Sequence, residues 1–144
     1  MGNHIWMMRV ENYIDKSSFH GIGLFSKRCI KRGTIVWEYH PDIDISFKPD
    51  KWIQLIESLD PHSATAIRKY AYKENDHYVV CIDNAQFMNH SENDFNVSNG
   101  DDSSIMIATK LIQPGDELLC NYFTCFDSDD ENIKTIKIPK QLIV

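Results

Sequence analysis

Two distant stretches of the chain share one pattern. CIKRGTIV (29–36) and LIQPGDELL (111–119) both run from an apolar residue through two spacers to a glycine, then one polar residue and a strand-like run. A glycine at that spacing reads as a tight turn feeding a strand, so the strands are joined by short, antiparallel connections. Strands linked this way do not alternate with long helices, which excludes a doubly wound parallel sheet. The pattern predicts an α+β, β-rich domain of small sheets.

The remaining segments fit that expectation. IWMMRVENY (5–13) reads as a first strand, Leu24-Phe25 as a short second, and Thr34 to Tyr39 as a third, rich in β-branched and aromatic residues. HYVVCI (77–82), SSIMIATKL (103–111) and ELLCNYF (117–123) read as later strands, and DNAQFMNHS (83–91) as a helical turn or loop. Two helices are inserted mid-chain. Asp50 is placed to cap one from Lys51 to Leu59, with Trp52, Leu55, Ile56 and Leu59 on one face; Ser63 is placed to cap ATAIRKYAY (64–72).

Length and charge narrow the function classes. The 144 residues suit one domain able to bury a core. No apolar run approaches membrane-helix length, and MGNHIWMMRV lacks the features of a signal peptide or a myristoylation site, so the expected setting is intracellular, with no membrane partner. Four scattered cysteines without a CxxC pair read as reduced, buried thiols and supply no metal site. A net charge of −6 without a basic block disfavours direct nucleic-acid binding. Acidic clusters at Asp42/Asp44, Asp101/Asp102 and Asp127 to Glu131 read either as solvated surface or as attraction for a basic substrate.

Three short signals need a chemical reading. Gly21-Ile22-Gly23 lacks the third glycine of a dinucleotide fingerprint and is followed by strand residues; it is a plain turn, or a place where backbone approaches a ligand. FMNHS (87–91) sets an Asn-His pair at the end of an apolar lead, where a turn, a metal ligand or a cofactor pocket would look alike. Asn89-His90-Ser91 and Asn96-Val97-Ser98 are formally sequons, which carry no weight without an export signal. GDELLCNY (115–122) puts a tyrosine on the last strand, by itself indistinguishable from a core aromatic.

In this order, GIGLF, FMNHS and GDELLCNY resemble the SET-domain family of protein-lysine methyltransferases, whose pattern is GxGxF, then NHS, then ELxxxY. RCIKRGTIVWEY and ATKLIQPGDEL match flanking family segments, and the resemblance spans roughly residues 7–126; it implies a SET domain over residues 1–126 and an acidic C-terminal tail over 127–144. The resemblance implies a β-clip fold with a C-terminal pseudoknot and a short helical insert. It implies S-adenosyl-L-methionine as cofactor, held by Gly21, Ile22, Gly23 and Leu24 at its amino-acid end, by Asn89 and His90 near the adenine, and by Phe126. Tyr122 becomes the catalytic residue; Tyr39 and Cys120 line the substrate channel, and Phe123 is either channel or core. The implied partner is a protein substrate presenting a lysine in a basic context, a histone or another basic protein. The setting is then cytoplasmic, or nuclear if the substrate is a histone.

The implied chemistry suits these residue types. A lysine nitrogen attacks a sulfonium methyl in line, so positioning matters most. The amine must first lose a proton, which costs about 4–5 kcal/mol at neutral pH. No Asp or Glu in the motifs is an obvious base, and loss to water is the simpler expectation. The chain also departs from the family pattern. ENDFN (92–96) is one residue longer than usual and lacks a proline; Gln86 replaces a common arginine. Cys120 stands where an aromatic often limits methyl number. No cysteine-rich segment follows the domain, so Phe126 and the tail must close the pocket. The departures keep open an alternative: a catalytically inactive SET-fold module that binds a peptide or the cofactor.

Overall fold

In a computed structural model the chain is described from residue 7 to residue 137. A six-stranded sheet carries β1 (Met7–Met8), β4 (Ile35–Glu38), β8 (Asn89–His90), β9 (Val97–Asn99), β10 (Ile105–Ala108) and β11 (Leu119–Cys120) in the order β1-β4-β10-β9-β11-β8. A separate hairpin pairs β2 (Asn12–Lys16) with β3 (Ile22–Ser26). A third sheet has the order β5-β7-β6, from Ile45–Phe47, His77–Val80 and Ala71–Glu74. Among the described residues no helix is long and apolar enough to cross a membrane.

The two similar turn segments meet in space. Ile30 and Ile112, the apolar residue that opens each pattern, form an antiparallel bridge with reciprocal N–H···O bonds of 2.8 and 2.9 Å. Both are buried in the main core with Leu24, Val36, Met88, Val97 and Leu118. The turn glycines take positive φ, +86° at Gly33 and +89° at Gly115, where a side chain would be strained. Each turn amide is tied to a neighbouring strand end, Gly33 to Ala108 O and Gly115 to Ser26 O.

Both helices start earlier than expected. α1 runs Pro49–Ser58 with Lys48 at its N-cap, so Asp50 lies in the first turn rather than capping it. α2 runs Pro61–Tyr70, capped by Asp60, whose side chain accepts from the His62 amide. A proline at the first helical position has its φ already set and has no N–H to leave unpaired. The predicted end at Tyr72 fails for a tertiary reason. Ala71 and Tyr72 pair with Val80 and Val79 in the third sheet, and strand pairing overrides local helix preference. Trp52 stacks on Tyr78 at 4.8 Å and 5°, fastening α1 to that sheet.

The expected first strand splits. Ile5 and Trp6 lie outside the described residues, Met7-Met8 join β4, and Asn12 onward joins β3. The expected last strand ends at Cys120, where Asn121 caps a helical turn, α3 (Tyr122–Cys125), by accepting from the Phe123 amide at 3.0 Å. Cys81, Cys120 and Cys125 are buried thiols as expected, but Cys29 is exposed.

Residues 127–134 pack against the third sheet. Asp127 accepts from the amides of Asn75 and Asp76, and Asn132 donates to Ala71 O. Asp130, 2% exposed, accepts from the Lys73 amide at 2.6 Å and caps α4 (Glu131–Lys137). Within the acidic cluster at Asp127 to Glu131, Asp127 and Asp130 are therefore structural rather than solvated surface: their carboxylates accept from three backbone amides of the β6-β7 hairpin, while Asp129 and Glu131 are exposed. Asp44 is likewise fully buried, accepting from the His40 amide.

Candidate active site

The segments carrying the three motifs converge where β11 is inserted between β8 and β9. Leu119 and Cys120 pair in parallel with Asn89 and His90 on one side, and Cys120 pairs with Val97 on the other. Residues 91–96 connect β8 to β9 across β11, so the chain's late strand passes beneath its own earlier loop. Asn96 locks that crossing. It is 7% exposed, donates to Glu117 O at 2.8 Å and accepts from the Leu119 amide at 2.9 Å. The extra residue of ENDFN is taken up in an exposed bend at 92–94, and Asp94 donates its amide to Ser91 Oγ. Asn96 keeps its place despite the longer loop.

Asn89 fixes the glycine turn. Its side-chain amide donates to His20 O at 2.8 Å, Ile22 O at 3.1 Å and Glu117 Oε2 at 3.1 Å. Ser17 completes the clamp. Its hydroxyl donates to the Glu117 carboxylate at 2.7 Å and accepts from the amides of Phe19 and His20. The two glycines serve different needs. Gly21 takes φ +50° with open space in front of it, whereas a Cβ on Gly23 would lie 2.5 Å from Glu117 Oε2. Ser17 and Glu117 hold this turn through their hydrogen bonds, yet neither stood out in the sequence beyond Glu117's place in the strand motif. A serine four residues before GxG, able to bond the following amides, was the available signal.

Tyr122 opens α3 at the point where the chain turns off β11. Its hydroxyl donates to Met88 O at 2.7 Å, and its amide donates to His90 Nδ1 at 3.0 Å. The acceptor role of Nδ1 places the His90 proton on Nε2. Burial holds His90 below its ordinary value, against a smaller opposing pull from Glu92. Burial, followed by nearby acidic groups, holds the Tyr122 phenol well above its ordinary range, so it stays protonated at neutral pH.

Two hollows meet at Tyr122. The larger, about 1240 Å³ including its open mouth, is lined by Phe19, His20, Gly21, Ile22, Asn89, His90 and Tyr122 among others. The smaller, about 600 Å³, is lined by Trp37, Tyr72, Glu74, Met106, Cys120, Tyr122 and Phe126 among others. Tyr70, Lys69, Gln86 and Asn132 also border both. The smaller hollow continues into an outer cleft that holds Tyr39, His77 and Ser104, with Trp37, Tyr72, Glu74 and Ser103 common to the two. The inner channel is strongly aromatic: Phe126 stacks on Tyr72 and lies tilted against Tyr122, 4.7 Å from each.

The expected site residues are distributed accordingly. Gly21, Ile22, Asn89, His90 and Tyr122 gather on the large cleft. Gly23 underlies it against Glu117. Leu24 is fully buried in the core and does not line the cleft. Phe126 and Cys120 line the inner channel, and Tyr39 lines the outer cleft, apart from Tyr122. Phe123 stands edge-on to the His90 ring at 4.9 Å. Beside the small Cys120, Tyr72 and Phe126 supply the aromatic walls.

The SET-domain profile matches residues 21–123. The chain belongs to the SET-domain family. No curated protein sequence matches it. Among solved structures, it is similar to a Plasmodium falciparum protein provisionally named a histone methyltransferase, with TM-score 0.50, 23% identity, and coverage of 80% of this chain and 95% of that one. A SET8 protein of Cryptosporidium gives 0.54 and 20%, over 77% of this chain and 56% of that one. The Polycomb Repressive Complex 2 of Chaetomium thermophilum, in a humanized mutant bound to the inhibitor GSK126, gives 0.59 and 21%, over 81% of this chain but 15% of the matched chain. At these identities the likeness is one of fold: small sheets, a curled arrangement and the inserted late strand of a SET domain.

Proposed function

We propose that this SET domain transfers a methyl group from S-adenosyl-L-methionine to the side-chain amine of a lysine in a protein substrate. The observation that carries the reading is the position of Tyr122, on a wall shared by two hollows. A cofactor in one and a lysine in the other would meet along the wall that Tyr122 shares with Lys69, Tyr70, Gln86 and Asn132, and of these Tyr122 is the one whose hydroxyl is fixed at the base of the NHS segment. The large cleft suits a cofactor with an aromatic base and a charged amino-acid end: it combines the aromatic rings of Phe19, Phe87 and Tyr70 with Asn89, Lys69 and the glycine turn. When bound, the cofactor supplies an activated methyl. The chain's own residues do the rest. Asn89, Ser17 and Glu117 hold the turn rigid, and Met88 O fixes the Tyr122 hydroxyl at the junction. The aromatic wall of Tyr72, Phe126 and Tyr122 excludes water and aligns an extended alkyl side chain.

The narrow, largely apolar inner channel suits the long, flexible stem of lysine with its single terminal nitrogen. A radiolabelled methyl-transfer assay on mixed basic proteins tests the reading, run beside calorimetric titration of the cofactor. Label transferred to lysine supports it. Cofactor binding with no transfer to any basic protein overturns it in favour of an inactive binding module.

A further inference from the structure

We infer that the Glu74 carboxylate, at the junction of the inner channel and the outer cleft, takes the proton from the incoming lysine ammonium. The inference rests on the methyl-transfer reading above and names a residue that none of the motifs contains. Glu74 ends β6, opposite His77 and next to the hairpin tip at Asn75-Asp76. It borders both the inner channel and the outer cleft, so a side chain reaching Tyr122 from the outer cleft would pass it. Beyond it the walls are Trp37, Met88, Met106, Cys120 and Phe126, surroundings that disfavour an ammonium and favour a neutral amine.

The carboxylate is available for this. Among the described residues no cation forms an ion pair with it; the adjacent Lys73 ammonium is taken by Asp129 and Asp76. Burial, opposed by a hydrogen bond from Ser103 and aided by Cys125 and Asp127, raises Glu74 to about 7. Of the other charged or titratable neighbours, Cys125 is lowered to about 6, chiefly by its hydrogen bond with Cys120 and against burial, so the Glu74→Gln comparison is what separates the two groups. Asp127 is held by the hairpin amides of Asn75 and Asp76. Burial keeps Tyr72 protonated, and Cys120 is kept protonated by its hydrogen bond to Cys125 and by burial. His77 faces the outer cleft, and Lys69 of α2 borders the inner channel. An ordinary glutamate lies about six powers of ten below lysine in proton affinity; a value near 7 narrows that to between three and four. Tyr122, kept protonated, is not a competitor for the proton.

The step balances. An ammonium N–H bond breaks as an O–H bond forms on Glu74, leaving the electron pair on nitrogen. The nitrogen attacks the sulfonium methyl carbon, forming N–C as C–S breaks, with that pair left on sulfur. The Glu74 proton then leaves to water through the outer cleft.

The test compares wild type, Glu74→Gln and Glu74→Asp between pH 6 and 9, on the best acceptor among core histones and synthetic peptides carrying one lysine between arginines. In wild type kcat/KM should rise to about pH 7 and then level, because free glutamate rather than free amine limits it. In Glu74→Gln it should fall ~100-fold at pH 7 and climb about tenfold per unit toward pH 9, while cofactor affinity and melting temperature hold. Glu74→Asp should keep the levelling at a lower rate. Side-chain carboxyl NMR of the free protein should show one glutamate titrating near neutrality, absent from Glu74→Gln. If wild type transfers methyl and Glu74→Gln has the same profile, the role of Glu74 is overturned and the methyl-transfer reading stands. If wild type transfers nothing, the methyl-transfer reading fails and this inference falls with it.

Discussion

The Tyr122 amide is held by the His90 ring, 3.0 Å from Nδ1, so the NHS segment orients the catalytic candidate through an imidazole that must stay neutral. Protonating Nδ1 turns the acceptor into a donor and sets it against that amide. His90 lies below its ordinary value when folded, so between that value and about 6.5 the unfolded chain binds more protons. The stability linked to keeping the part-buried His90 neutral is therefore complete above about pH 6.5 and is lost as pH falls through its lowered folded value. Wild type should lose more of its melting temperature between pH 7 and 5 than His90→Phe, which has no acceptor to protonate. At pH 7 the Phe variant should be about 1–2 kcal/mol less stable, because it strands a part-buried amide. Parallel melting curves for the two proteins over that range would count against the argument.

The glycine turn gives a paired prediction. Gly23→Ala puts a methyl 2.5 Å from Glu117 Oε2, so the carboxylate must release Ser17 or Asn89. Overpacking of this kind costs about 1–3 kcal/mol. Gly21→Ala meets no neighbour and pays only for its positive φ, about 1–2 kcal/mol. The two variants should lose similar stability, but Gly23→Ala should weaken the cofactor more, since it also loosens the clamp beneath the cleft. Thermal melts and calorimetric cofactor titrations measure the two effects separately.

The burial of Asp130 separates it from its acidic neighbour. Asp130→Ala removes the acceptor of the Lys73, Asn132 and Ile133 amides and should cost roughly 2–4 kcal/mol. Glu131→Gln, an exposed first-turn change, should stay within about 0.5 kcal/mol. Urea unfolding of both variants checks the contrast. An Asp130→Ala protein as stable as wild type would mean that the packing of 127–134 against the third sheet contributes nothing to the fold.

What the sequence made legible were the features fixed locally. The turn pattern around Gly33 and Gly115 located two tight turns whose glycines need positive φ, but neither joins antiparallel neighbours: β4 pairs with β1 and β10, not β3, and β11 lies parallel to β8 and β9, not beside β10. Periodicity located both helices, though their starts were misplaced because Pro49 and Pro61 outweighed the polar residues that follow them. The insertion of β11 between β8 and β9 could not be read from pattern, since threading depends on contacts between residues some thirty apart. It entered only through resemblance. The role of Ser17 was invisible because its partner, Glu117, lies 100 residues away. Asp127 and Asp130 looked like a solvated run for the same reason: the amides they satisfy belong to a distant hairpin.

Tyr122→Phe tests the centre of the site. The substitution removes one hydroxyl and little volume, and the ring keeps its contacts with Phe126 and His90 at 4.7 and 5.0 Å. The lost bond is the one from the hydroxyl to Met88 O, worth about 0.5–1.5 kcal/mol net. The fold and cofactor affinity should therefore survive with a small drop in melting temperature. Turnover should fall far more than stability, by about 100-fold or more, because the hydroxyl stands at the junction of the two hollows, where the transferring methyl would lie. The neutral phenol also makes a distinct claim about pH. Because Tyr122 stays protonated, its removal should lower the rate by a similar factor at every pH from 6 to 9 and leave the shape of the profile intact. A variant that turned over at the wild-type rate would reduce the tyrosine to a packing residue. One whose profile changed shape would make the phenol, rather than a carboxylate, the group that titrates.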